Sequence, residues 1–149
     1  MSEQLHLAPP PIWQSLEEVE SSAKACQQCG LCQTRTNVVF AAGSPQAKLM
    51  VIAEAPGRNE DEAGVPFVGR AGKLFDKILE AGRIDREKEI YLCNVVKCRP
   101  PNNRLPLKTE IQACQKYLNA QLELVRPARI LLAGATAVEA VLHVKDPIS

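Results

Sequence analysis

Three short apolar runs constrain this chain more than anything else in it. KLMVIAEAPG holds five apolar residues in a row, Leu49 to Ala53, closed by Pro56-Gly57; EIYLCNVVKC stops against Pro100-Pro101; ARILLAG follows Pro127. Continuous apolar runs of this length, bounded by turn residues, read as strands buried on both faces. The segments between them have helical spacing instead. Residues 69–82 carry Leu74, Ile78 and Leu79 toward one face, with Gly82 placed to end the helix. Ile111, Cys114, Leu118, Leu122 and Val125 recur at three- and four-residue steps, and ATAVEAVLHV follows the third run. Strand then helix, three times over, predicts an α/β chain of three layers, helices covering both faces of a parallel sheet. Ligands of such sheets sit beyond the carboxyl ends of the strands. That directs attention to Glu54–Asp61, Asn94–Arg104 and Gly134.

Ahead of the first strand, Ile12, Leu16, Val19 and Ala23 have helical spacing, and Ser15 with Glu18 suggests a capping box near the start. The reading is therefore a flexible tail over residues 1–11 and a single domain over residues 12–149. A net charge of +1 gives no overall basic field, so any nucleic-acid site must be local. No apolar run approaches a membrane span, and the polar, proline-rich N-terminus lacks the pattern of a secretory signal. The expectation is a cytoplasmic protein with no membrane partner, whose thiols stay reduced.

That compartment bears on CQQCGLC, where Cys26, Cys29 and Cys32 crowd into seven residues, with Cys93, Cys98 and Cys114 downstream. Disulfides are disfavoured and metal ligation gains ground. A lone CxxC also serves redox motifs and zinc knuckles. Four thiolates from two distant segments would suit a tetrahedral zinc site or a cubic iron–sulfur cluster. The plain alternative is that Cys114, on the apolar helix face, is a small core residue. Cys93, inside an apolar strand, reads as core, and Cys32 as a ligand or an idle neighbour.

Two loops carry the remaining chemistry. AEAPGRNEDEAGVPFVGRAGKLF leaves the first strand with Glu54, Glu60, Asp61 and Phe67; its glycine spacing is not that of a Walker A phosphate loop. The acids read as a solvated loop, Glu54 at the strand end excepted, and Phe67 as a loop anchor or an exposed stacking surface. NVVKCRPPNNRLPLK carries Lys97, Arg99, Arg104 and Lys108 with no acid among them, which suits a phosphate backbone or simply a solvated loop. Asn94 lies inside the apolar run, and its amide donor and acceptor match the edge of a nucleobase.

Taken together, the CxxC before LCQTR, EAPGRNEDEAGVPFVGRAG, NVVKCRPPNNRLP and the spacing from Cys98 to Cys114 resemble the family 4 uracil-DNA glycosylases, the iron–sulfur branch of their superfamily. The resemblance runs over about residues 22–143. It implies a [4Fe-4S] cluster on Cys26, Cys29, Cys98 and Cys114, with Cys32 surplus and the cluster's role structural. It implies that Phe67 stacks on a flipped-out uracil, that Asn94 hydrogen-bonds the polar edge of that base, and that the loop beginning Glu54-Ala55 positions the attacking water. The partner implied is uracil-containing DNA, contacted through Lys97, Arg99 and Arg104.

Members of that family carry a further strand and a His-Pro-Ser type loop, which VKDPIS does not supply; His6 and His143 stand outside that context. Two expectations follow. Activity is lowered, since losing one such donor typically costs about 10²–10³ in rate. The run Ile130–Ala133 becomes a free sheet edge that invites a partner strand. The competing reading is a non-catalytic iron–sulfur protein of the same fold that binds DNA or a partner.

Overall fold

The computed structural model describes residues 13–144; the tail read over residues 1–11 lies outside them. The chain runs α1 (Leu16–Lys24), a 3-10 turn (Gly30–Gln33), β1 (Ala42–Gly43), β2 (Leu49–Ala53), α2 (Arg58–Ala63), α3 (Arg70–Ala81), α4 (Arg86–Glu89), β3 (Ile90–Asn94), a second 3-10 turn (Pro101–Asn103), α5 (Lys108–Val125), β4 (Arg129–Leu132) and α6 (Ala135–Leu142). Strand order is β1-β3-β2-β4. β2 pairs in parallel with both β3 and β4, from Leu49 opposite Ile90 and Arg129. Each apolar run expected to be a strand is one. The sheet departs from a wholly parallel one at β1, where Ala42 and Gly43 pair antiparallel with Leu92 and Tyr91. Two residues are too few to show periodicity.

Alternation along the strands sorts their side chains into two cores. Met50, Ile52, Tyr91 and Cys93 face α5 and α6, meeting Leu118, Val125, Ala137 and Ala140. Val51, Ile90 and Leu92 face the other way, toward Leu79, Phe75 and Phe67. Cys93 is fully buried, as an apolar strand demands. Helix α1 lies on α5 through Val19, Ala23, Tyr117 and Ala120. Its start follows the expected chemistry: Ser15 Oγ accepts from the Glu18 N–H at 3.3 Å, and Glu18 reaches back to the Gln14 N–H at 2.8 Å.

Helix α3 corrects one expectation. Leu79 is buried, but Leu74 and Ile78 are 60% and 59% exposed. The helix is rotated so that Gly72, Phe75 and Leu79, spaced three and four apart, face the sheet. Gly72 explains the rotation, because a Cβ there would stand 2.1 Å from the Phe67 carbonyl oxygen. The missing side chain lets α3 sit on the backbone that carries Phe67. Gly72→Ala is expected to cost about 1–3 kcal/mol or more by forcing that backbone away. Thermal melting alongside hydrogen exchange at Phe67–Gly69 checks this; an unchanged melting temperature would count against the contact.

At the opposite side of the sheet β4 is an edge among the described residues. Ile130 and Leu131 are 41% and 48% exposed, on opposite faces. No helix of the described residues is long and apolar enough to cross a membrane.

Candidate functional site

The loop after β2 is more ordered than its glycines and prolines suggest. It contains helix α2, and its acids Glu60 and Asp61 are structural rather than solvated, while Glu62 stays exposed. Glu60 accepts from the Gly57 N–H at 3.0 Å with one oxygen, and from the Val68 and Gly69 N–H groups at 2.9 and 2.7 Å with the other. One carboxylate thus clasps both ends of the loop. Asp61, 3% exposed, accepts from the Thr36 N–H at 2.9 Å and the Asn37 N–H at 3.1 Å, tying the loop to the segment after the first cysteines. Such burial is tolerated because each carboxylate is satisfied by backbone donors.

Phe67 holds a left-handed backbone, φ 60°, unusual for a large side chain. Arg86 stabilises it by donating to the Pro66 and Phe67 carbonyls, both at 2.9 Å, while pairing with Asp76. The ring meets Phe75 at 5.4 Å between centroids and is half-buried, one face against the core. Asn94 ends β3 beside Ala53, its register partner. Two residues beyond Leu92, its side chain leaves the sheet on the face where Phe67 packs. Asn94 is 3% exposed, and among the described residues its amide makes no hydrogen bond; only its main-chain carbonyl is used. Among the described residues no fully enclosed side-chain polar atom lacks a partner, so the amide keeps the small opening left to it.

Glu54 stands at the end of β2, but its carboxylate turns to the other face. Oε2 accepts from the Thr136 N–H at 3.0 Å, in the first turn of α6. Gly134 makes room: it adopts φ 103°, and a Cβ there would lie 2.6 Å from the Glu54 side-chain carbon. The carboxylate thereby satisfies a helix N-terminus. Sequence order gave no hint of this contact across 82 residues.

The cysteines converge. Cys26, Cys29, Cys32, Cys98 and Cys114 line one cavity between α1, the first 3-10 turn, the loop after β3 and α5. Among the described residues no three His, Cys, Asp or Glu side chains are grouped closely enough to hold a single metal ion. Burial pushes the Cys114 thiol up to about 11, against the pull of Lys97. Burial likewise raises Cys98, while Arg35 opposes it by donating to the Cys98 Sγ at 3.3 Å; the same guanidinium nitrogen donates to the Cys26 carbonyl at 2.9 Å. A metal bound here must displace protons that burial favours, and the cations beside the sulfurs ease that exchange.

The basic loop needs the clearest correction. Lys97 is 1% exposed and donates to the Asn94 carbonyl at 2.6 Å and Gln121 Oε1 at 2.5 Å, so no phosphate can reach it. The residues from Val95 to Cys98 are all buried, continuing along β2 through Val95 N–H to Ala53 and Val96 N–H to Glu54. Arg99 donates to Asn103 Oδ1 at 2.7 Å. Arg104 is exposed and forms a two-pronged pair with Glu110, at 2.9 Å for each prong. That pairing is the main cause of a lowered Glu110 pKa, which burial opposes and the Leu107 N–H at 2.8 Å assists.

A group depressed in the folded state adds stability above its unfolded pKa, about 4.3, and loses it as pH falls through the lower folded value. Glu110→Gln is therefore expected to lower the melting temperature at pH 7, with the gap to wild type closing below about pH 4. Melting curves across that range check it; a gap that widens in acid would contradict the pairing.

Comparison with known proteins identifies the family of the chain. The family model described as the uracil DNA glycosylase superfamily matches residues 40–147. The type-4 uracil-DNA glycosylase of Thermotoga maritima is 47% identical over 122 residues, covering 82% of this chain and 63% of its own length. That of Sulfurisphaera tokodaii is 46% identical over 121 residues, 80% of this chain and 54% of its own. That of Archaeoglobus fulgidus is 41% identical over 133 residues, 89% and 66% respectively. The chain thus spans between about half and two thirds of the length of these relatives.

Proposed function

Because the chain belongs to the uracil DNA glycosylase superfamily, we propose that it is built to release uracil from DNA by hydrolysing the N-glycosidic bond of a flipped-out nucleotide, as a cytoplasmic enzyme of base excision repair. The observation that carries the reading is the Asn94 amide. A nearly buried side chain whose donor and acceptor are both unused among the described residues, yet not fully enclosed, is free to take a ligand's polar edge. Uracil offers an N–H and a carbonyl to such an amide; cytosine presents a donor at the position of uracil O4 and mispairs. Mismatches of that kind discriminate strongly in a site closed to water.

Phe67 supplies the stacking face, held rigid by Arg86 and by the close seat of Gly72. Glu54 and Ala55 shape the approach of the attacking water, and the Thr136 N–H fixes the Glu54 carboxylate. Bond breaking leaves positive charge on the sugar and negative charge on uracil O2, so donors oriented toward O2 lower the barrier. Arg99 and Arg104 are the positions of the basic loop left to meet phosphate; Lys97 is not. The domain is read over residues 12–149, and the free edge of β4 is where a partner strand would pair.

Cys26, Cys29, Cys98 and Cys114 would hold a [4Fe-4S] cluster. The donor set fits: thiols from two remote segments around one cavity, too spread for a single ion. Tetrahedral zinc would draw its sulfurs to roughly 3.8 Å from one another, given Zn–S bonds of about 2.3 Å. When bound, the cluster supplies iron–thiolate bonds that tie the segment after α1 to the loop after β3.

The test is an oligonucleotide with a single uracil, followed by abasic-site cleavage. Appearance of abasic sites at the position of the uracil, with none from a cytosine control, is the expected result. Tight binding of the uracil strand without any release at high protein concentration would favour a non-catalytic member of the fold.

A further inference from the structure

Lys97 is a buried cation with no acid partner among the described residues. Its ammonium meets two neutral acceptors, the Asn94 carbonyl and Gln121 Oε1, and lies 5.8 Å from the centre of the Phe40 ring. Gln121 is itself fully buried and fixed by donating to the Phe40 carbonyl at 3.2 Å and the Tyr91 hydroxyl at 3.1 Å. Carbonyls and a ring satisfy the N–H bonds but do not neutralise the charge, and buried charges are normally paired. Lys97 also lines the cysteine cavity. Arg35 lines it from the other segment and likewise meets sulfur and a carbonyl rather than a carboxylate. The one acid on that wall, Glu110, is engaged by Arg104. Two basic residues without acid partners among the described residues therefore line a cavity of thiols. An iron–sulfur core of charge two plus, held by four thiolates, carries a net charge of two minus.

We propose that Lys97 is a positioning residue shared by two sites: its charge, with that of Arg35, offsets the thiolate-held core, and its hydrogen bond to the Asn94 carbonyl fixes the strand end that presents the Asn94 amide to uracil. The proposal rests on the functional reading above, and it gives Lys97 a task no phosphate contact explains. The core and the base pocket then share one residue, so the inorganic site sets the geometry of the pocket without touching the base.

Two variants separate the tasks. Lys97→Gln keeps N–H donors for both acceptors and loses the charge; Lys97→Met loses both. Each is purified with its cluster and followed in two ways: the rate of iron loss to a ferrous chelator well below the melting temperature, and inhibition of cleavage by free uracil. Both variants are expected to lose iron at least about tenfold faster than wild type. Lys97→Met is further expected to need at least about tenfold more uracil for half inhibition, with Lys97→Gln near wild type in that respect. A packing role alone would lower the melting temperature of Lys97→Met and leave Lys97→Gln with normal iron retention, which overturns the charge assignment. Normal uracil inhibition in Lys97→Met overturns the link to Asn94. An insoluble Lys97→Met leaves iron retention in Lys97→Gln to decide. Failure of free uracil to inhibit the wild type would sink the reading of the pocket, while the iron measurement would still stand or fall independently.

Discussion

Replacing Asn94 by alanine is expected to lower the rate of uracil release by about 10²–10³, the range seen when one preorganised polar contact to a reacting group is removed. The amide is nearly enclosed and unused by the protein, so its removal leaves the fold's own hydrogen bonds in place. The Asn94 main chain still accepts from Lys97 and still pairs with β2. Melting should therefore change little, and the loss should fall on catalysis and on discrimination against cytosine. Single-turnover rates on uracil- and cytosine-containing strands, with melting curves alongside, check this. An Asn94→Ala protein that releases uracil at the wild-type rate would remove the amide from the mechanism.

Cys98→Ser is expected to have the largest effect on stability. Cys98 is 8% exposed, within reach of Arg35, and stands at the junction of the loop after β3 with the cysteines that follow α1. In the proposed cluster, losing one ligand would loosen the core, and the free energy of binding that core would be folding free energy. A loss of several kcal/mol corresponds to a fall in melting temperature of about 10 °C or more, at roughly 2–4 °C per kcal/mol for a chain of this size. Cys32→Ser, on the same wall but surplus in the four-ligand reading, should keep its iron and its melting temperature. If Cys32→Ser loses iron and Cys98→Ser does not, the ligand set is wrong.

β2 and β3 were legible because burial on both faces leaves a continuous apolar run, and β4 carries the same apolar run although Ile130 and Leu131 stand exposed at the sheet edge. Leu49–Ala53 carries the same limits in sequence and in structure. Helix α3 was legible in extent but not in rotation. Periodicity marks Leu74 and Ile78 as well as Leu79, and only the absent Cβ of Gly72 against the Phe67 backbone decides which side faces the sheet. The acids of the glycine-rich loop misled for a related reason. Their partners are backbone N–H groups, which every residue carries and no sequence pattern reveals.

Lys97 is the sharpest case. It sits among Arg99, Arg104 and Lys108, and proximity in sequence suggested a shared basic surface. The chain beyond Asn94 instead stays buried for four residues, and Lys97 finds Gln121, 24 residues on, inside the protein. The cysteines were legible as a group because three crowd into seven residues, and the structure brings Cys26, Cys29 and Cys32 to one cavity with Cys98 and Cys114. That Arg35 would stand among them was not, since one arginine after a cysteine motif is unremarkable by itself.

The most direct test of the central claim is metal and sulfide analysis of the protein purified without air. The account requires about four iron and four acid-labile sulfide per chain, a brown protein, and loss of both on Cys98→Ser. One zinc per chain with no sulfide, and a colourless protein, would contradict it.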